Sequence, residues 1–139
     1  MSFDPEQLRV AELMTIDPVT VLPDASLGEV EELLRSYQVS GLPVVDEGGD
    51  LVGVISKTDL LHLSVRVRGR FADLGNGELH VADLMTSPAV VIGRSASVHE
   101  AARIMDDQHL HRLVVVDESD RPVGVLSAMD FVALAAERP

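Results

Sequence analysis

Hydrophobic and polar positions along this chain follow two periods in turn, and the same succession occurs twice. Leu27, Val30, Leu33, Leu34 and Tyr37 recur at three- and four-residue spacing and predict one apolar helix face. Ser26 opens it with Glu29 three residues on, the capping-box spacing. A short strand is predicted over Thr20 to Leu22. The strand-like runs Leu42 to Val45 and Leu51 to Ile55 flank the turn-rich Asp46 to Asp50, which predicts a hairpin, and a second helix begins near Lys57. The second half repeats this with Val90 to Ile92, the pair Ser97 and Glu100, and a face of Val98, Ala101, Ala102 and Met105. The strands Leu113 to Val116 and Pro122 to Leu126 follow, then a helix from about Ala128 to Glu137.

The repeat holds a constant offset of 71 residues: Met14 and Met85, Ser26 and Ser97, Glu29 and Glu100, Asp46 and Asp117, Gly53 and Gly124, Ser56 and Ser127, Asp59 and Asp130. It slips to 70 at Pro18 and Pro88 and then recovers, so one insertion is compensated in the loop before the helix. A duplicated unit this short predicts two lobes related by a pseudo-two-fold axis, with a cleft where ligands bind. The expected division is 1–68 for the first unit, 69–80 for a linker and 81–139 for the second. The stretch from Val65 to His80 holds Gly69, Gly75 and Gly77 and the alternating Arg66, Arg68 and Arg70, either a solvated linker or a basic patch for a partner.

At 139 residues and 46% hydrophobic content, the chain supports one ordinary core, whereas each half alone is marginal; the halves are expected to share it. The net charge of −12 repels a phosphate backbone and 3% aromatic content leaves few stacking platforms, which argues against nucleic acid. An anionic ligand must then be held by local cations and N–H groups. No cysteine is present, which excludes disulfides and thiolate chemistry, and the start is acidic where a secretory leader would be basic. No apolar run nears the length of a membrane span. A soluble, cytoplasmic protein without membrane partners is expected.

Three segments, in order and twice over, carry a family resemblance: Ala11 to Pro18 (AELMTIDP) and Ala82 to Pro88 (ADLMTSP); Leu42 to Asp46 (LPVVD) and Leu113 to Asp117 (LVVVD); Gly53 to Leu60 (GVISKTDL) and Gly124 to Phe131 (GVLSAMDF). The chain resembles a tandem pair of CBS domains, a Bateman module. Its second repeat, through His111 to Glu118 (HRLVVVDE) with Ser127 and Asp130, is similar to the nucleotide-holding repeats of the γ subunit of AMP-activated protein kinase. The resemblance implies an α/β fold of two β-α-β-β-α units, their three-stranded sheets packed together and helices outside. It also implies adenosine derivatives in one or both clefts and a homodimer.

Ser127 and Asp130 stand where a strand ends and a helix begins. A carboxylate there can accept both ribose hydroxyls, and the Ser127 hydroxyl with the free amides of a helix start suits a phosphate oxygen. Ser-x-x-Asp is equally a capping pattern, so Ser127 and Asp130, like Ser56 and Asp59, are open to either role. His111 and Arg112 flank the same strand end, and Arg112 offers a planar fork for phosphate where the first repeat has Ser40 and Gly41. A solvated surface pair is the alternative. In the first repeat the nearest cation is Lys57. Unequal sites are therefore expected, the second favouring a phosphorylated ligand and the first an unphosphorylated one or none. The base is expected near Thr15, Pro18 and Val19 in one unit and near Thr86, Pro88 and Ala89 in the other, where prolines hold the chain extended and main-chain groups can meet an adenine edge. Leu42, Pro43, Ile55, Leu113, Leu126 and Ala128 are candidate walls that also qualify as core. His109 and His111 invite a metal reading, but no third ligand is evident.

No phosphate-binding glycine loop, nucleophile elbow or cysteine is present, so catalysis is not expected. The expected function is a stand-alone sensor that binds AMP, ADP, ATP or S-adenosylmethionine as a regulatory ligand and signals to a partner protein. A ligand-free interaction scaffold or a divalent-cation sensor are the alternatives.

Overall fold

The structure, a computed structural model, describes residues 7–16, 19–66 and 79–136. Pro18, the glycines and arginines at 68–77, and Glu137 lie outside the described residues. The chain divides into two compact units: residues 1–18 with 90–139, and residues 19–89. These cut across the repeats at 1–68 and 81–139, because each repeat gives its first segment to the unit built on the other.

The first unit contains α1 (Val10–Leu13), β1 (Thr15–Ile16), β4 (Val91–Gly93), α5 (Val98–Gln108), β5 (Arg112–Val116), β6 (Pro122–Ser127) and α6 (Ala128–Ala136). Its sheet runs β1-β6-β5-β4, with β4 parallel to β5 and the other pairs antiparallel. The second unit contains α2 (Leu27–Tyr37), β2 (Gly41–Val45), β3 (Leu51–Ser56), α3 (Lys57–Arg66) and α4 (Val81–Leu84). Here β2 and β3 form the ladder, and single bridges at Val21–Val44 and Val54–Thr86 stand where β4 and β1 stand in the first unit. The fold is α/β as expected, but the first unit's sheet has four strands rather than three. The fourth, β1, comes from the other repeat.

That exchange is held by main-chain bonds and apolar burial. Val10 N–H donates to Ala96 O at 2.8 Å and Ala11 N–H to Arg94 O at 3.0 Å; in the other unit Val81 N–H donates to Ala25 O at 3.0 Å and Ala82 N–H to Pro23 O at 2.9 Å. Val10 and Val81 are both fully buried, Val10 among Ile92, Ala101, Leu113 and Leu126, and Val81 among Leu27, Val30, Leu42 and Ile55. Burying such a side chain stabilises by about 1.5–3 kcal/mol. A four-residue helix has no stability of its own, so α1 and α4 exist because they dock. The expected sharing of core therefore takes the form of a trade.

The glycines of the repeated Gly-Val-(Ile/Leu)-Ser strands receive the traded segments. A Cβ on Gly53 would stand 2.8 Å from Thr86 O and 2.9 Å from Met85 Sδ; one on Gly124 would stand 2.8 Å from Thr15 O and press directly on Met14 Sδ. Only a residue without a side chain admits this approach.

Local structure repeats as closely as sequence. Ser26 Oγ accepts from Glu29 N–H at 3.1 Å and Ser97 Oγ from Glu100 N–H at 3.0 Å, the serine halves of the expected caps. The hairpin turns are each pinned by one aspartate: Asp46 Oδ1 accepts from Gly48 and Asp50 N–H, both at 2.9 Å, and Asp117 Oδ1 from Ser119 at 2.8 Å and Arg121 at 3.1 Å. The Arg121 and Ser119 amides hold the Asp117 carboxyl below its ordinary 3.8.

Two outcomes follow. Gly124→Ala forces β1 off β6 and should cost about 1–3 kcal/mol, read as a lower urea midpoint. Because the Asp117 carboxyl is depressed in the folded state, its contribution is present above the unfolded value of 3.8 and is lost as pH falls through the lower folded value. NMR titration should place its midpoint below 3.8, and Asp117→Asn should weaken the dependence of stability on pH in that window.

Candidate functional site

Each strand-to-helix junction is built in the same way. β6 runs straight into α6, and the first helical amide, Ala128 N–H, donates to His111 O at 2.8 Å. Ser127 N–H donates to Asp130 Oδ2 at 2.7 Å, and Ser127 Oγ stands 3.3 Å from the same oxygen. In the other unit Lys57 N–H donates to Ser40 O at 2.9 Å, and Asp59 Oδ2 accepts from Ser56 N–H at 2.8 Å and Ser56 Oγ at 3.0 Å. Asp59 N–H completes the box on Ser56 Oγ at 3.3 Å. The two roles left open by the sequence are thus partly decided: both aspartates cap. The amides of Ser127 and Ala128, expected to meet phosphate, are already bonded within the unit. Among the described residues Asp130 is engaged through Oδ2, which leaves Oδ1 for a ligand.

Strand register gathers the other candidates. Arg112 pairs with Ser127 across β5 and β6, and Thr15 pairs with Val125, two residues before Ser127. Side chains alternate along a strand, so Thr15, Arg112 and Ser127 share one face of the sheet, with Asp130 one turn into α6. In the second unit Gly41 pairs with Ser56, and Thr86 bridges Val54, again two residues before the serine. Thr15 thus joins Ser127 and Asp130, and Thr86 joins Ser56 and Asp59. Each candidate site is composite: its threonine comes from one repeat and its Ser-x-x-Asp from the other.

Several expectations are corrected. Thr86 does not present a free main-chain edge, since its N–H donates to Val54 O at 2.9 Å and its carbonyl accepts from Val54 N–H at 3.0 Å. Ser87 Oγ donates to Val52 O at 2.7 Å, and the Ser87–Pro88 bond is cis rather than part of an extended run. Leu42, Ile55, Leu113 and Leu126 are at most 1% exposed, and Pro43 is buried with them in the strand; they belong to the sheet's core. Val19 and Ala89 are half-buried. Lys57, whose direction the sequence left open, lines a groove between α2 and α3 of about 730 Å³ with Glu31 and Arg35. His109 is the left-handed cap of α5 (φ 56°), so it does not stand beside His111 on one strand. Among the described residues no group of three or more His, Cys, Asp or Glu is placed to hold a metal ion.

The sequence-based account missed the roles of Met14, Met85 and the facing Gly53 and Gly124. Their signal was present: two motifs that recur at one offset are candidates for mutual contact. Among the described residues no helix is long and apolar enough to cross a membrane.

The CBS domain profile matches residues 10–66 and 81–137. CBSX2, a CBS-pair protein of Arabidopsis thaliana, has a crystal structure in complex with AMP; that chain is 34% identical with a TM-score of 0.75, over 94% of this chain and 99% of the other. The CBS domain of a CBS domain-containing membrane protein from Sphaerobacter thermophilus is 28% identical with a TM-score of 0.78, covering 94% and 89%. Inosine-5'-monophosphate dehydrogenase of Korarchaeum cryptofilum is 34% identical over 122 residues, which are 88% of this chain and 23% of that enzyme. The chain spans about a quarter of that relative's length.

The cap geometry carries its own test. Asp130→Ala should lower stability by about 1 kcal/mol in the absence of any nucleotide, measured by urea unfolding. An unchanged midpoint would mean that the carboxylate is not engaged in the cap.

Proposed function

This chain belongs to the CBS-domain family, and from that membership we propose that it is a regulatory module that binds an adenosine-containing ligand and signals its bound state to a partner protein. The observation that carries this is the shared sheet face of Thr15, Arg112 and Ser127 with Asp130 beside it. That face sets a guanidinium, a hydroxyl and a carboxylate around one strand end. Support also comes from CBSX2, 34% identical over 94% of this chain and crystallised with AMP.

In this proposal Asp130 takes the ribose hydroxyls on Oδ1 while Oδ2 keeps the helix capped, and Arg112 neutralises the phosphate in place of the Ser127 and Ala128 amides, which are already bonded. Each base meets the segment that follows the threonine of its own site, Pro18 after Thr15, or Pro88 with Ala89 after Thr86. The junction in the second unit has Gly41 where Arg112 stands, and Lys57 lies along the α2–α3 groove. That site therefore suits an unphosphorylated ligand such as S-adenosylmethionine, or stays empty. The ligand acts by favouring whichever arrangement of the protein binds it better, within the limit of that affinity difference. The role is regulatory rather than catalytic, in the cytoplasm, with a homodimer as the working form.

Isothermal titration with AMP, ADP, ATP and S-adenosylmethionine tests this. AMP should bind, Arg112→Ala should weaken it at least tenfold, and Asp59→Ala should leave it nearly unchanged. At a free concentration about 100-fold above Kd, the ligand should add roughly 2.7 kcal/mol to stability. No binding by any of the four, or equal losses in the two variants, would overturn it.

A further inference from the structure

The chain has no cysteine, so its five methionines hold all of its sulfur. Two of them occupy corresponding places: Met14 and Met85 are the C-caps of the docked helices α1 and α4 and lie over Gly124 and Gly53. At Gly53, Met85 Sδ and the Thr86 carbonyl oxygen lie 2.9 and 2.8 Å from the place a Cβ would take, so sulfur and oxygen share one small space. Met14 Sδ and Thr15 O share the matching space over Gly124, with the sulfur closer still. Both side chains pack against the apolar core of their own unit, yet each is only partly buried and within reach of a small solute.

That seat fits a thioether and does not fit a sulfoxide. Hydrogen peroxide transfers one oxygen atom to sulfur: a sulfur lone pair attacks the peroxide, the O–O bond breaks, an S–O bond forms and water leaves. The sulfur loses two electrons and the peroxide gains them. A flexible apolar side chain becomes polar and chiral at sulfur. The new oxygen must enter the space beside the Thr86 or Thr15 carbonyl, where two partial negative charges meet, or swing the side chain off the glycine. The helices that end in these methionines are four residues long and exist by docking, so loss of the seat is felt along the whole docked segment.

We propose that Met14 and Met85 are peroxide-sensitive modification sites, whose oxidation to the sulfoxide releases α1 with β1, and α4 with Thr86, from the strands that receive them. Dithiol-dependent methionine sulfoxide reductases reverse the change, the oxygen leaving as water while the dithiol becomes a disulfide. Thr15 and Thr86 follow the two methionines directly, so release also withdraws each threonine from its Ser-x-x-Asp. A loss of ligand affinity on oxidation rests on the function proposed above; the release itself is read without ligand, so the two fail separately. Two further methionines serve as internal controls, Met129 on α6 at 68% exposed and Met105 in the core at 6%.

Timed hydrogen peroxide treatment of the full chain, followed by peptide mass mapping and NMR amide exchange, tests it. Met129 should be oxidised first without any change in exchange, Met14 and Met85 next, and Met105 last. As Met85 becomes sulfoxide, the Val54 and Thr86 amides, bonded to each other's carbonyls at 3.0 and 2.9 Å, should exchange about tenfold faster, and by a larger factor than the α2 amide of Val30. Met14 sulfoxide should do the same at Val10 and Ala11, and sulfoxide reductase should restore both. The double variant Met14→Leu with Met85→Leu, a swap of similar volume, should keep its protection in peroxide. Native exchange in a chain that carries both sulfoxides would overturn the proposal. So would acceleration that is uniform along the chain, that begins with Met129 alone, or that the reductase does not reverse. Should the leucine variant not fold, the wild-type time course and its reversal decide the matter.

Discussion

A carbonyl oxygen lying where a side chain would otherwise stand holds each unit together. Thr86 O meets Gly53, and Thr15 O meets Gly124, each at 2.8 Å from where a Cβ would be. Because those carbonyls belong to one repeat and the glycines to the other, neither unit is completed by its own repeat. Val10 and Val81 add the apolar half of the same contact, and the amides of α1 and α4 bond to loops of the opposite repeat. A chain whose halves are individually marginal thus becomes stable by mutual completion.

The candidate sites inherit this construction. The swapped strand brings a threonine beside a Ser-x-x-Asp that is distant in sequence, on the sheet face that also carries Arg112 in the first unit. The cost is that the junction's polar groups are largely engaged in the fold. Asp130 caps α6, and the first helical amide is bonded to His111 O. A ligand at this place must be met chiefly by side chains and by the second oxygen of the carboxylate. In the proposed function this places the phosphate on Arg112 and not on the helix dipole alone.

Against a backbone that repeats down to its bulges, at Val44/Val45 and Val115/Val116, and its left-handed caps, at Gln38 and His109, the substitutions between repeats are what distinguish the two units. Gly41 against Arg112 separates two potential ligand sites. Arg35 and Lys57 against Asp106 and Ala128 separate two helix faces. Duplication supplied matched scaffolds, and a few charges made them unequal.

Much of the fold was legible from the chain alone. Period-3.6 faces placed α2 and α5, alternating apolar runs placed the hairpin strands within a residue, and Ser26 and Ser97 marked helix starts, because these features depend on neighbours in sequence. The elements α1, α4 and β1 were not legible, being too short to form without a docking surface, and a partner strand lies far away in sequence. The residue types of the candidate junctions stood in the sequence, but not which threonine joins which aspartate, nor that the Ser127 and Ala128 amides are already bonded. What the sequence by itself determined was a twofold α/β repeat with one cation-rich and one cation-poor junction. Only the tertiary structure decided the exchange of segments, since long-range backbone contacts leave no periodic trace in a single chain.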